Sequence, residues 1–445
     1  MEGIAFVALA IFLATILGIS IRRFKWFNVK RPIVAMMGGA LMLLCGVVTP
    51  MQAFQSIDLG ILALLLGMMI IVAALELCGF FTWVSMRIIA ASKNQFQFLV
   101  LIMVATAVLS ALILNDAVVL LFTPIVIRAC RLIKANPIPF LIAEAVSANI
   151  GSVATEVGNP QNVYIAAISN ISFVDFSIRL IPVTVISLVA AIAIVWIVFR
   201  RDLVQVNDIT AKGNIASRGI CSKLKVRSKP IDHEEAVRLA EVSHIHGSIY
   251  LILGTLFLVF VGFIISPFTR IPIALVAFMG GASVLFLLPI SKKGTDVRNI
   301  LKGVDWTLLL FFVGLFVVLK GVDVSGLMAE MVGLFQNSSG GSLGTVWGLS
   351  TFSSILSNLI SNVPAVMLLA PFVISIGSTT LWLTLAASST LAGNATILGA
   401  AANVIVAETG ERMDVHISFW RFIKAGLPVT VVTLIISIII LQIVA

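Results

Sequence analysis

Two carboxylates, Asp116 and Glu156, stand inside long apolar stretches of this 445-residue chain. An ionisable side chain in such a setting is costly to desolvate, and it usually faces a solute pathway or carries a proton or cation. Each lies in a polar interruption, LND from Leu114 and TEVGNPQN from Thr155. Two further interruptions, SNVP from Ser361 and TILGAAAN from Thr396, lack a carboxylate, since Val363 and Ile397 occupy the matching places. The surrounding residues suit the binding of a small solute. Asn115, Asn159, Asn362, Asn394 and Asn403 offer amide donors and carbonyl acceptors without carrying charge into the membrane. Thr155 and Thr396 add hydroxyls, and Gly151, Gly158, Gly393 and Gly399 permit close backbone approach, while Pro160 keeps a helix from forming across the break. Glu76, Asp323 and Glu144 are further candidates, closer to helix ends, where a charge is usually solvated.

The elements that hold these residues are membrane helices. The chain is 60% hydrophobic and 11% charged, whereas soluble domains carry roughly a quarter charged residues. About ten stretches are long and apolar enough to span a bilayer. The first, Ile4 to Ile19, has no preceding basic residue and no small-residue cleavage site after it, so it is read as a helix rather than a signal peptide. The net charge of +9 reflects topology rather than a nucleic-acid partner. Basic residues gather at Arg22 to Arg31, Arg128 to Lys134, Arg200 to Arg238, Lys292 to Lys302 and Arg412 to Lys424, loops that an alternating path places on one side. Only Arg179, Arg270 and Lys320 fall near the other face. Both termini are then expected outside a cell membrane, with the linker 202–243 in the cytoplasm. Cys45, Cys78, Cys130 and Cys221 have no metal or disulfide spacing and are read as packing residues. His233, His244, His246 and His416 lie in polar segments, so neither a histidine relay nor a cofactor or resident metal is expected, Na+ at the breaks apart.

The chain is internally duplicated. IDLGILALLLGMMIIVAALELCG from Ile57 aligns without gaps to VDWTLLLFFVGLFVVLKGVDVSG from Val304, pairing Asp58 with Asp305 and Gly67 with Gly314 at an offset of 247. The same offset sets LNDAVVLLFTPIVI from Leu114 on SNVPAVMLLAPFVI from Ser361. ATEVGNPQNV from Ala154 meets ATILGAAANV from Ala395 at an offset of 241, and AMMGGA from Ala35 meets AFMGGA from Ala277. The fold class expected is an all-α polytopic membrane protein of two inverted-topology repeats, 1–201 and 244–445, joined by the linker. Within the first repeat the hydropathy gives helices to about residue 20, at 33–50, 58–77 and 178–198, and a short amphipathic segment at 80–92. It also gives a re-entrant hairpin over 96–134, broken at Asn115 and Asp116, and a discontinuous helix over 139–170. Non-helical chain at membrane depth survives only where it lines a cavity or is buried in protein. The four interruptions are therefore expected to form one site at the midplane, where opposed helix ends present N–H groups to an anion and carbonyls to a cation.

NDAVVLLFTPIV, ANIGSVATEVGNPQN and the terminal FIKAGLPVTVVTL resemble motifs of the ion transporter superfamily that contains arsenite-pump membrane subunits, citrate-type permeases and divalent-anion/sodium symporters. The resemblance covers nearly the whole chain. It implies a scaffold domain, a mobile transport domain, a homodimer and elevator-type alternating access. Carried over motif by motif, it points to Asn115, Asp116, Thr155, Gly158, Asn162, Asn362, Thr396 and Asn403. The tips read Leu-Asn-Asp and Ser-Asn-Val instead of the Ser-Asn-Thr of sodium-coupled dicarboxylate carriers, and Ala400 to Ala402 replace the Pro-containing turn. The function expected is secondary transport of a small anion or oxyanion coupled to H+ or Na+. Cation/proton antiport is the alternative that the two carboxylates favour. An intramembrane enzyme would need a nucleophile with its base or a metal cluster in the apolar segments, and none is legible. No ATP-binding P-loop is present.

Overall fold

The computed structural model describes residues 2–20, 31–203, 246–290, 296–338 and 342–444. Most of the linker, with Cys221, His233 and His244, lies outside the described residues, as do the basic residues at 22–30 and 292–295. Every regular element described is helical. The first part holds α1 (Glu2–Ser20), α2 (Arg31–Leu44), α3 (Pro50–Ser56), α4 (Leu59–Leu77), α5 (Phe80–Ala91), α6 (Gln95–Leu112), α7 (Asn115–Leu132), α8 (Pro137–Ser152), α9 (Pro160–Ser169) and α10 (Phe173–Leu203). The second holds α11 (His246–Thr269), α12 (Ile273–Ile290), α13 (Val297–Lys302), α14 (Trp306–Val324), α15 (Leu327–Ser338), α16 (Val346–Ile360), α17 (Asn362–Ile376), α18 (Thr379–Ala392), α19 (Ala401–Arg412) and α20 (Phe419–Val444).

Among the described residues eight helices, namely α1, α4, α6, α10, α11, α12, α14 and α20, are long and apolar enough to cross a membrane. The chain is thus an all-α, multi-pass integral membrane protein. Large apolar side chains such as Phe6, Phe257, Phe268 and Ile443 face outward, as a lipid-covered surface requires. Local sequence sets several boundaries. Asp58 accepts from the Ile61 N–H at 3.0 Å at the head of α4, and its repeat mate Asp305 accepts from the Thr307 N–H at 3.0 Å at the head of α14. One expected span differs: the helix over 33–50 ends at Leu44, because Gly46 turns the chain at φ +70° before Thr49 caps α3. The helix over 178–198 is longer than expected, and the break in the hairpin falls at Ile113 and Leu114, so Asn115 and Asp116 form the first turn of α7.

Two helix crossings dominate the packing, α4 on α12 and α2 on α14. Both are made by glycines. A Cβ on Gly67 would lie 2.2 Å from the Ala277 carbonyl oxygen, and one on Gly314 would lie 2.4 Å from the Ala35 carbonyl carbon. Such small residues let helix backbones touch where side chains would hold them apart. Gly60 approaches Ala274 and Gly280 approaches Ile71, so α4 and α12 run in the same direction; Gly39 meets Val317 and Gly321 meets Met42, so α2 and α14 do as well. The far end of α4 returns to the head of α14, since a Cβ on Gly303 would come within 2.9 Å of Ala73.

Two hairpins, α6–α7 and α16–α17, fold on broken helices. Phe98 packs on Phe140 with ring centroids 5.0 Å apart, and Gly151 lies against Ala107, so α6 runs alongside α8 in the same direction. Thr123 bonds Glu144 and Asn115 bonds Asn149, so α7 runs back against α8. In the second part Ser353 bonds Ser388 and Asn358 bonds the Ala392 carbonyl, which sets α16 beside α18 in the same way. The chain between α8 and α9 (153–159) and between α18 and α19 (393–400) is not α-helical, and a short 3-10 turn covers Gly393–Ala395.

Candidate functional site

Each hairpin tip is fastened to the break beside it. The Asn115 backbone N–H donates to the Gly158 carbonyl at 2.9 Å, and the Thr155 hydroxyl donates to the Ala111 carbonyl at 2.6 Å. Asn358, just before the second tip, donates to the Ala392 carbonyl at 3.0 Å. The tip residue Ser361 has φ +81° and ψ 156°, a conformation that costs a non-glycine residue about 1–3 kcal/mol and that tends to occur at functional turns.

The two breaks are built alike. Asn159 caps α9 by accepting from the Asn162 N–H at 2.8 Å, with Pro160 as the first helical residue. The Asn162 side chain donates back to the Ser152 carbonyl at 3.1 Å and the Thr155 carbonyl at 3.0 Å. Its mate Asn403 donates to the Gly393 carbonyl at 2.7 Å and the Thr396 carbonyl at 2.9 Å. Each asparagine thus satisfies carbonyls that the interrupted helix leaves open. Gly158 and Gly399 are the points of closest approach, where a Cβ would lie 2.3 Å from the Ser152 carbonyl oxygen and 2.5 Å from the Gly393 carbonyl oxygen, respectively.

The breaks are also tied to each other. Asn149 donates to Asn394 and to Asn403, both at 2.9 Å, and accepts from Asn115 at 3.2 Å. Thr390 returns the link, accepting from Asn159 at 3.3 Å and Gln161 at 3.0 Å. Asn115, Asn149, Asn159, Asn162, Asn394, Asn403, Thr390 and Glu156 are all buried, and Thr155 and Asn362 nearly so. Asn149, Thr390 and Gln161 are absent from the sequence reading, although Asn149 and Thr390 stand at equivalent places at the 241 offset.

Several buried polar atoms in this network have no hydrogen-bond partner in the protein: Asn162 Oδ1, Asn362 Oδ1, Asn394 Nδ2 and Asn358 Oδ1, together with the Ser110 and Ser357 hydroxyls. Ser110 and Ser357 are repeat mates that sequence reasoning passed over. Buried polar groups are ordinarily paired, so these atoms offer donors and acceptors to a polar solute or to water. No Lys, Arg or His is fully buried among the described residues. A cation does reach the second tip: Arg31, expected in a cytoplasmic loop, heads α2 and donates to the Ser361 hydroxyl at 3.4 Å. It lies within electrostatic range of Asp116 and Glu408, and Asp305 is in range of Asp116.

The remaining carboxylates divide. Glu76 and Asp323 are exposed at helix ends, Asp323 in an ion pair with Lys320 at 2.7 Å. Glu144 departs from the helix-end reading, for it is fully buried in the body of α8 and accepts from the Thr123 hydroxyl at 2.8 Å. Cys78 and Cys130 are buried, whereas Cys45 is exposed and does not pack. Among the described residues no three His, Cys, Asp or Glu side chains are grouped so as to hold a metal ion.

A multi-pass helical membrane protein whose interrupted helices meet in a buried network of uncharged amides and hydroxyls has the construction of a solute carrier, and this chain is a membrane transporter. Residues 12–391 match the citrate transporter family, CitMHS, and the chain belongs to that family. It is 31% identical over 425 residues to the protein called Uncharacterized transporter Rv2685 of Mycobacterium tuberculosis (strain ATCC 25618 / H37Rv), with 92% of this chain and 93% of that one covered. It is 28% identical over 453 residues to the silicon efflux transporter LSI3 of Oryza sativa subsp. japonica, covering 89% of each chain. The family and the names of its relatives indicate a secondary transporter, not an enzyme.

Proposed function

We propose that the chain carries a small oxygen-rich anion or oxyacid across the cell membrane, coupled to H+ or Na+, with the solute held between the two breaks. The observation that carries this reading is the pair of breaks tied through Asn149 and Thr390, with unpartnered amide and hydroxyl atoms on both sides. Such a site can hydrogen-bond several oxygens of one solute. Asn115, Asn159, Asn162, Asn362, Asn394, Asn403, Thr155 and Thr396 are its proposed binding side chains, with Gly158 and Gly399 giving backbone access. The silicon named for the rice relative and the citrate named for the family are both consistent with an oxygen-rich solute.

The two halves are proposed as inverted repeats, 1–201 and 244–445. The exchanged crossings support this: α4 runs with α12, α2 runs with α14, and the end of α4 returns to the head of α14. Equivalent helices then point in opposite directions, as in transporters that alternate access about a midplane site. The hairpins are proposed to be re-entrant and the movement elevator-like, in a homodimer with both termini outside and the linker inside; the last points follow from the superfamily and from the basic loops. Cation/proton antiport is the second reading, favoured by Asp116 and Glu156, with Arg31 the cation in electrostatic range of Asp116 among the described residues.

Uptake into liposomes under imposed proton or sodium gradients, with arsenite, phosphate, sulfate, citrate and silicic acid tested in parallel, examines the reading directly. Accumulation of one of these solutes supports it. Thermal protection by metal chlorides with no solute accumulated favours antiport instead. Asp116→Asn is expected to abolish gradient-driven accumulation while the protein remains folded, because the charge is lost and the side-chain volume kept. Unchanged accumulation removes Asp116 from the coupling role.

A further inference from the structure

The two carboxylates of the first half do not share one environment. Asp116 lies in range of Asp305 and Arg31, at the end of α4 that meets Gly303. Glu156 instead lines a cavity of about 460 Å³ together with Asp58, Gly60, Ile61 and Leu64 at the opposite end of α4. Leu59 to Ala73 spans roughly 20 Å at the helical rise per residue. Yet the two carboxylates flank one break, since the Asn115 N–H bonds the Gly158 carbonyl. They flank it on opposite sides, Asp116 toward the Gly303 end of α4 and Glu156 toward the Asp58 end.

The cavity wall is largely apolar, and its polar side chains include carboxylates but no Lys, Arg or His. Asp58, Glu156, Asn170, Ser172 and Ser266 contribute to its wall, and it opens beside the exposed Ala167 and Asn170. Ile273 also lines it, and Ile273 stands where the duplication sets Arg31 in the other half. Glu156 is 1% exposed, and its Oε1 has no hydrogen-bond partner in the protein. At the cavity's end of the elements packed around it the titratable groups are Asp58 at the head of α4, Tyr164 on α9, Asp175 and Arg179 at the start of α10, and Arg270 between α11 and α12, while Glu76, Tyr250, Arg200, Arg201 and Asp202 stand toward the other ends of α4, α11 and α10. Of these only Asp58 shares the cavity wall, and its Oδ1 is engaged in capping α4. No three acidic, His or Cys side chains among the described residues are grouped as a metal site, which leaves a single buried carboxyl facing a cavity large enough for water.

The geometry points to Glu156 as a proton-binding residue loaded from this cavity, on the face of the membrane opposite to the Asp116, Asp305 and Arg31 group. The carboxylate takes one H+ from cavity water and returns one H+ to water when the break changes its exposure; no other bond is made or broken. This rests on the transport reading and adds to it the coupling ion and its side of entry. In the second half Ile397 stands at the equivalent place, so the Glu156 site is expected without a counterpart there.

Two measurements on the full-length protein in liposomes test it. Dicyclohexylcarbodiimide, which reacts with protonated carboxyls in apolar surroundings, is expected to modify the Glu156 peptide in amounts that fall as pH rises; modification independent of pH, or absent, overturns the assignment. For the solute accumulated by the wild type, Glu156→Gln is expected to lose accumulation driven by a pH gradient while retaining solute counterflow. Undiminished pH-driven accumulation overturns it. If the Gln variant does not fold, Glu156→Asp takes its place: a shifted pH profile of accumulation supports the assignment and an unchanged profile overturns it. Failure of the wild type to exchange any solute would reject the transport reading, and the carbodiimide result decides the proton site without it.

Discussion

Asn149→Leu is expected to abolish solute uptake and to lower thermal stability. Asn149 holds three partners at once, Asn115 at the first tip and Asn394 and Asn403 at the second break. Leucine keeps the branched shape of the side chain, is somewhat larger, and has neither donor nor acceptor. Each buried group left unpaired costs about 1–3 kcal/mol, and here the groups belong to both halves. The loss should appear as a fall in melting temperature and as missing uptake in liposomes. Gln55→Leu, on the exposed surface of α3, should change neither. If Asn149→Leu transports normally, the tie between the breaks has no functional weight.

Gly67→Ala and Gly314→Ala should destabilise the protein by similar amounts. An added methyl at either position meets helix backbone, the Ala277 carbonyl in one case and the Ala35 carbonyl in the other, and backbone cannot rotate aside. Separating the helices enough to admit it costs on the order of 1–3 kcal/mol at each crossing. Gly254→Ala supplies the contrast, because nothing lies within 4 Å of a Cβ there. Alanine suits a helix better than glycine, so that variant should be neutral or slightly stabilised. Melting curves of the three variants in one detergent check the set. A much larger effect at one of the paired glycines than at the other would contradict the exchange of crossings.

Much of this architecture is legible in the residues. The gapless match of Ile57 onward with Val304 onward anticipates that Asp58 and Asp305 cap equivalent helices and that Gly67 and Gly314 make equivalent crossings. The breaks at TEVGNPQN and TILGAAAN were legible because glycine, proline and asparagine interrupt otherwise unbroken apolar chain. Asn149 and Thr390 were not, for they differ in type at equivalent places and sit in the last turns of α8 and α18, where only tertiary packing turns them toward each other's break. The end of α2 was hidden for another reason. The apolar run continues through Val47 and Val48, which pack with Val317 and Val318 instead of extending the helix. The burial of Glu144 is not legible either, since hydropathy does not report which face of α8 meets Thr123.

Hydrogen–deuterium exchange on the wild-type protein in liposomes, with and without the solute it accumulates, bears most directly on where that solute is held. Bound solute should slow exchange at 113–116, 153–159, 361–362 and 393–400, the tips and interrupted stretches of both halves. Unchanged exchange there, with slowing confined to other segments such as the α15–α16 groove around Leu334 and Trp347, would contradict the account.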